Sequence, residues 1–569
     1  MKASPLSRLR VLSICFCIFA AFLIFRLYIL QIVQGKEFSE SANKQYVQYN
    51  ENLFNRGVIF FQDKNGEISP AATVGSGYIL SINPTLIENG EAVFNKLSEV
   101  ISLDKDSFII KASKQNDPYE EVAKRVPEET KKKIEALHIP GVLLFSQKWR
   151  VYPSQTSAAQ LLGFIADKEG VVAGRYGLER YYEDILHRES GGLYVNFFAE
   201  IFSNLKDTVQ NGGKQEGDIV TTIEPTVQSF LERELGKINE KWSPDTIGGI
   251  IINPQNGEIY AMATYPTFDP NFFQTEKDPN IFVNPLVESV YEMGSIIKPL
   301  TMAAGLDSGA ITPNSTYNDK GFLILNNSRI SNYDGKGHGI VDMQTVLSKS
   351  LNTGAAYVVT AMGKDDFTRY MKAFKVGEET GIDLPNETFG LIDNLDSPRD
   401  IEHATASYGQ GVAFSPIATV RALSSLGNGG LLIDPHIVRK INYKTGLSKT
   451  ITIDEGVRAL KKETSEEITR MLVKVVDEAL LNGEAKIEHY SVAAKTGTAQ
   501  VARTDGGGYE EGKYFHSFFG YFPAYDPEFL VFLFEMNPKG AQYASETLTS
   551  PFIDITKFLI NYYEVPFDR

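Results

Sequence analysis

From Val11 to Val33 the chain is apolar almost without a break, interrupted only by Arg26 and Gln31 and preceded by Lys2, Arg8 and Arg10. Roughly 23 residues at about 1.5 Å each cross a bilayer core, so the run predicts a transmembrane helix. The basic flank places the amino terminus in the cytoplasm and everything after the helix outside. No A-x-A-like site follows, which predicts an uncleaved anchor. Arg26 falls toward the outer end, where its stem can snorkel to the interface.

Polar residues 35–52 then read as a helical stalk. They lead to a short strand at Asn55-Arg56-Gly57-Val58-Ile59 and a turn at Asp63-Lys64-Asn65-Gly66, where Asn-Gly supplies a positive φ. Residues 85–140 carry mixed helical periodicity, and the charge clusters Glu120–Arg125 and Glu128–Lys133 read as solvated helix faces. From Ile247 the pattern changes. Ile247–Ile252 and Glu258–Thr264 are apolar strands joined by the hairpin signal Pro254-Gln255-Asn256-Gly257. Far along the chain, Ser491–Val501, Ser517–Phe522 and Phe529–Met536 read as three more strands, and Ser550–Tyr563 as a closing helix. The stretch between the two strand groups is rich in helical signals. Strands at both ends with helices between them predict a mainly antiparallel sheet covered by helices, an α+β domain.

At 569 residues the chain exceeds one ordinary domain, and 43% apolar residues make it a folded one. The formal net charge of −15, with no basic stripe, argues against a nucleic-acid partner. Both cysteines, Cys15 and Cys17, fall in the anchor, so disulfides do not hold the external part together. Seven histidines without ligand spacing give no reason to invoke a metal.

Three short strings carry the candidate chemistry. The first is Ser295-Ile-Ile-Lys298, with Gly294 before it and Pro299 after it. Proline is tolerated in a helix's first turn, so Ser295 is expected at the start of a helix running toward Leu306, with Lys298 on the same face. A neutral lysine there could take the serine proton, which requires burial or a second cation nearby. The second is Ser350-Leu-Asn352, closing the helical stretch Gln344–Lys349. With Leu351 turned away, Ser350 offers a hydroxyl for proton relay and Asn352 an amide for a peptide carbonyl. The third is Lys495-Thr496-Gly497-Thr498, on a strand of small residues along which an extended peptide could dock. Each string has decoys: Ser41–Lys44 and Ser102–Lys105, Ser81-Ile-Asn83, and Lys444-Thr445-Gly446 in a polar turn. The decoys lack a glycine approach, an apolar helix or a strand of small residues. Gly506-Gly507-Gly508, after the third string, reads as a hairpin connection or as a mobile loop beside the cleft.

With these motifs in this order, the chain resembles class B penicillin-binding proteins, the membrane-anchored D,D-transpeptidases of bacterial cell-wall synthesis. Further landmarks are Asn55–Ile59, Arg150-Val151-Tyr152-Pro153, Gly177-Leu178-Glu179, Thr221-Thr222-Ile223-Glu224, Tyr291-Glu292-Met293-Gly294 and Tyr408-Gly409-Gln410-Gly411. Met293 stands where the family usually has proline and Glu224 where it usually has aspartate, and two extra residues lengthen Ile59–Asp63. The resemblance implies a cytoplasmic tail at 1–10, an anchor at 11–33, an elongated pedestal of the dimerisation type at 34–235 and a transpeptidase domain at 236–569 with a five-stranded sheet flanked by helices.

It also implies roles. Ser295 attacks the penultimate D-alanine carbonyl of a peptidoglycan stem peptide, Lys298 accepts its proton, and Ser350 relays a proton to the departing D-alanine. Backbone N–H groups of Ser295 and Thr498 form the oxyanion hole. Lys495, Thr496 and Thr498 hold the terminal carboxylate, Gly497 leaves room, and Asn352 completes the catalytic set. β-Lactams are expected to acylate Ser295, no cofactor is needed, and a membrane glycan polymerase is the expected partner. A secreted β-lactamase would lack the anchor and pedestal, and a β-lactam sensor would have several spans. The alternative is a non-catalytic cell-wall scaffold that kept the fold.

Overall fold

The computed structural model describes Phe19 and residues 55–168, 171–188, 215–452, 455–503 and 507–569. The expected anchor and stalk and the decoy Ser41–Lys44 lie outside these residues, apart from Phe19. Two compact units share the chain. Besides Phe19, the described part of the smaller holds residues 55–56, 74–150 and 188, and the larger holds the described residues within 57–73, 151–187 and 215–569.

Strand β1 (Ile59–Gln62) turns through Asp63–Glu67 into the long β2 (Ile68–Ile82). Gly66 has φ +87°, as its Asn-Gly pair requires, and Asp63 Oδ1 accepts the N–H groups of Asn65 and Glu67 at 2.9 and 2.8 Å. The strand expected at Asn55–Ile59 begins only at its last residue. Val58 donates its N–H to the Asp218 carboxylate at 2.6 Å instead of to a strand, and Gly57 runs so near Gly217 that a methyl group there would sit 2.0 Å from its carbonyl oxygen.

In the smaller unit the end of β2 pairs with β3 (Glu120–Val126) and β4 (Val142–Val151), over a core of Leu80, Ile82, Leu97, Phe108 and Ile134. The first charge cluster, expected on a helix, is therefore a strand. Its pairing of Tyr78 with Val126 and Leu80 with Ala123 outweighs a composition that suits a solvated helix. The second cluster is helical, Glu128–Ala136, with Ile134 its one buried side chain.

The larger unit begins with a sheet in which β5 (Gly217–Thr221) runs parallel to β1. Helix α1 (Pro225–Trp242) follows, with Pro225 in its first turn and Glu224 as its cap, accepting the Val227 N–H at 2.6 Å. Then come β6 (Thr246–Ile252) and β7 (Ile259–Tyr265), α2 (Lys298–Asp307), α3 (Met343–Ser348) and α4 (Asn352–Met362). Strands β8 (Val438–Tyr443) and β9 (Ser448–Thr450) return to the first sheet, and Lys444-Thr445-Gly446 forms the turn between them. Last are β10 (Ala493–Ala502), β11 (Tyr509–Phe522), β12 (Phe529–Met536) and α5 (Thr549–Tyr563).

The expected central sheet has the order β10-β11-β12-β6-β7, antiparallel throughout. Its apolar runs lack alternation because both faces are covered. Along β12, Leu530, Phe532 and Phe534 enter one core, while Phe529, Val531 and Leu533 enter the other with α1 and α5. Phe230 of α1 stacks on Phe558 of α5 at 3.8 Å, a contact worth about 0.5–1.5 kcal/mol beyond its buried area. The helical middle also contains two small hairpin pairings that the pattern did not suggest, Thr316–Asp319 with Gly339–Asp342 and Phe322–Leu325 with Ser328–Ser331.

Candidate active site

Ser295 lies in a single 3-10 turn, Gly294–Ile297, that leads directly into α2. The expectation that Ser295 opens the α-helix is thus shifted by one turn: the helix opens at Lys298, with Pro299 in its first turn. The tighter winding follows from the contacts around the turn. Gly294 has φ +64°, donates its N–H to Gly409 O at 3.1 Å, and would place a methyl group 2.8 Å from Thr498 O. Gly409 (φ +77°) would put one 2.3 Å from Gly294 O, and Gly497 would put one 2.8 Å from Met293 O. These three glycines bring the Ser295 turn, β10 and the loop at Tyr408–Gly411 into backbone contact. Met293 is fully buried, and its carbonyl accepts the Ser517 hydroxyl at 2.8 Å.

Ser350 sits between α3 and α4 with φ +53°, a conformation that lifts its side chain out of the helical path. Leu351, fully buried, anchors the link. The Ser350 hydroxyl lies between two lysines: Lys298 Nζ donates to its Oγ at 3.1 Å and to its carbonyl at 2.5 Å, and Lys495 Nζ donates to the same Oγ at 3.0 Å. Lys495 also donates to Thr496 O at 2.9 Å. Both lysines are almost wholly buried, 1% and 3% exposed. Burial, and secondarily the charge of Lys495, hold Lys298 well below the usual lysine value, and burial pushes Lys495 down to about 7. The ring of Tyr408 lies 6.0 Å from Lys298 Nζ. The Ser295 hydroxyl, half-buried, has no hydrogen-bond partner among the described residues.

Asn352 Nδ2 donates to Ser331 O at 2.9 Å, so the amide expected to grip substrate is anchored to the hairpin beside it. Behind it lies a buried polar network that the motifs did not reveal. Asp319 accepts from Thr353 Oγ1, Gly321 N, Asn332 Nδ2 and His338 N at 2.8–3.1 Å, and Asn332 Oδ1 accepts the Thr353 N–H at 3.2 Å. Glu292 is a second addition: it accepts Gly411 N–H at 3.0 Å and Tyr509 O–H at 3.1 Å, and burial raises its carboxyl. Thr498 Oγ1 accepts the Ala544 N–H at 3.1 Å. Glu292, two residues before Gly294, carried a signal as part of the landmark Tyr291-Glu292-Met293-Gly294; Asp319 and Ala544 carry no local signal.

The remaining decoys separate cleanly. Ser102 precedes a helix capped by Asp104, and Lys105 pairs with Glu91 on the surface. Asn83 caps a 3-10 turn. Gly507 and Gly508 lie on the connection from β10 to β11, with Gly508 O accepting Arg503 N–H at 3.1 Å, and Gly506 is outside the described residues.

Comparison with known proteins shows which family the chain belongs to. The family described as penicillin binding protein transpeptidase domain matches residues 247–556, and the penicillin-binding protein dimerisation domain matches residues 54–222. The stage V sporulation protein D of Bacillus subtilis is 31% identical over 540 residues, covering 93% of this chain and 81% of its own. The peptidoglycan D,D-transpeptidase FtsI of a Buchnera aphidicola strain is 27% identical, with 97% and 94% covered. Among solved structures, penicillin binding protein 2X from Streptococcus thermophilus aligns with TM-score 0.71 at 21% identity, over 90% of this chain and 79% of that one. Penicillin binding protein 3 of Mycobacterium, solved with aztreonam, gives 0.68 at 20% identity, over 90% and 97%. These two show a shared fold. The sheet, the serine-lysine site and the paired domain matches lead to one assignment: the chain belongs to the penicillin-binding protein transpeptidases, in their class B form, and is a serine-type enzyme of that family.

Proposed function

We propose that Ser295 is the nucleophile of a peptidoglycan cross-linking reaction, that Lys298 and Ser350 move its protons, and that Lys495 holds the donor carboxylate. Cross-linking of peptidoglycan is the family's activity, and stem peptides and β-lactams are its substrate and inhibitor classes. The observation that carries the assignment of roles is the Ser350 hydroxyl held between two buried lysines, 3.1 and 3.0 Å away.

Lys298, whose burial favours the neutral form, takes the proton of Ser295 as Oγ attacks the penultimate D-alanine carbonyl. The developing oxyanion is met by the backbone N–H groups of Ser295 and Thr498. As the tetrahedral species collapses, the proton passes through Ser350 to the departing D-alanine nitrogen, and Ser295 is left as an ester. An amine of a second stem peptide then attacks the ester, gives up its proton along the reverse path, and restores the Ser295 hydroxyl. Lys495, with the hydroxyls of Thr496 and Thr498, holds the donor carboxylate, and Gly497 keeps the strand clear for the peptide. Asn352, with one Nδ2 hydrogen on Ser331 O, keeps the other for a peptide carbonyl.

As a member of this family the protein is membrane-associated. Val11–Val33 supplies the proposed single-pass anchor, with residues 1–10 cytoplasmic and the catalytic part outside. The proposed pedestal is 34–235 and the proposed transpeptidase domain 236–569; a membrane glycan polymerase is the proposed partner. Labelling with a fluorescent penicillin and peptide mass mapping test the central step. A stoichiometric adduct on Ser295, absent in Ser295→Ala, is expected; no adduct in a folded sample would favour a non-catalytic scaffold.

A further inference from the structure

Three strands carry one polar row across the central sheet. Thr498 on β10 pairs with His516 on β11, and His516 with Glu535 on β12, so the three side chains share the face that also bears Phe518 and Leu533. His516 and Glu535 are fully buried, and the mechanism above uses neither. Glu535 Oε2 has no hydrogen-bond partner among the described residues. A buried carboxyl left half-satisfied calls for an explanation beyond packing.

The imidazole of His516 ties down one segment at both ends. Its Nε2 lies 3.1 Å from the Gln542 carbonyl oxygen. A carbonyl only accepts, so Nε2 carries a hydrogen. Its Nδ1 lies 2.9 Å from Thr547 Oγ1 and 3.2 Å from Glu535 Oε1. Between these two anchors, Ala544 N–H donates to Thr498 Oγ1 at 3.1 Å. That bond occupies an acceptor lone pair of the threonine and leaves its single O–H to point elsewhere.

We propose that His516 is a positioning residue for substrate recognition: by fixing Gln542–Thr547 it holds Ala544 N–H on Thr498 and so turns the Thr498 hydroxyl toward the carboxylate of the incoming donor or β-lactam. Glu535 keeps the ring in place from the other side. The inference rests on the reading of Lys495, Thr496 and Thr498 as the carboxylate clamp.

The test compares acylation of the full-length protein in detergent by benzylpenicillin and by its methyl ester, which lacks the charge. His516→Phe is expected to slow the acid about tenfold, as for one misdirected hydrogen bond to a charged group, and to leave the ester within about twofold. Equal losses on both would make His516 a general support of the fold, and no loss would show that the segment positions nothing; either overturns the proposal. If His516→Phe does not fold, Thr547→Val cuts the same connection with a near-isosteric side chain, and a selective loss of about threefold is expected. Thr498→Val separates this proposal from the one beneath it. If Thr498→Val leaves the preference for acid over ester intact, the clamp reading fails. If it abolishes that preference while His516→Phe does not, only the positioning role falls. In the Thr498→Val background, His516→Phe should add no further selectivity.

Discussion

Two buried lysines on one hydroxyl make the chemistry of this site depend on pH in a direction that can be worked out. In the proposed mechanism acylation needs Lys298 neutral and Lys495 charged. The rate should therefore rise as Lys298 loses its proton and fall as Lys495 loses its own, the latter near the value of about 7 set by burial, or higher once an anionic ligand is bound. Because the two share Ser350, the two limbs belong to the pair. The charge of Lys495 is one of the two causes that depress Lys298. Lys495→Ala should thus slow acylation by benzylpenicillin at least about tenfold and also move the acidic limb to higher pH. A limb that stays in place in the pH profile of k2/K would show that the lysines do not sense each other. The same burial has a cost in stability. A lysine whose folded pKa lies below its unfolded value leaves the folded state short of a proton, so stability rises with pH up to about 10.5 and the penalty grows as pH falls. Lys298→Met should stabilise the protein at pH 7 by on the order of 1–2 kcal/mol while abolishing acylation. Thermal melts at pH 7 and pH 10 check this: the gain should shrink at the higher pH.

At the scale of elements, the site is where three backbones touch, and glycines set the distances. Gly294→Ala is expected to lower the acylation rate about 100-fold, because a shift of the Ser295 turn away from β10 misplaces both the proposed nucleophile and the proposed oxyanion hole. Gly309 has a comparable φ of +76° with no atom within 4 Å of its would-be methyl group, whereas that of Gly294 (φ +64°) meets Thr498 O at 2.8 Å. Gly309→Ala therefore carries the backbone strain without the collision, and should cost stability while leaving acylation near wild type. Equal kinetic losses in both variants would count against close approach as the cause. This also explains how far the sequence could be read. The β6–β7 hairpin, β12 and α5 were legible because apolar runs and Asn-Gly turns are local signals. The three motifs were legible because each is short and ordered. Helix and strand were confused at Glu120–Val126, where partner strands decide the outcome, and the strand expected at Asn55 was displaced by a side-chain bond from Asp218, far along the chain. The Asp319–Asn332–Thr353 network and the seat of Ala544 on Thr498 were invisible for the same reason, since each joins residues distant in sequence.

For the whole molecule, the compact units divide the chain differently from a single cut between pedestal and transpeptidase domain. The larger unit takes in residues 57–73 and 151–187 as well as the catalytic sheet. Its first sheet needs β1, which pairs in parallel with β5, and β5 pairs with β8. Its second core needs α1, whose Val227, Leu231, Leu235 and Ile238 are buried against the central sheet with α5. A chain beginning at residue 236 would cut α1 in two and remove Val227, Leu231 and Leu235, each of which contributes about 1.5–3 kcal/mol when fully buried. Such a chain should aggregate or expose a dye-binding apolar face. A chain beginning near residue 50 keeps every strand and helix named above and discards the apolar run 11–33. No described helix is long and apolar enough to cross a membrane. Because it lacks the apolar run 11–33, the chain beginning near residue 50 should stay in solution without detergent and should be acylated by penicillin at a rate within about twofold of the full chain. Detergent dependence of that truncated chain would contradict a single anchor at Val11–Val33. Solubility and acylation of the chain starting at 236 would show that the catalytic sheet needs neither β1 nor an intact α1.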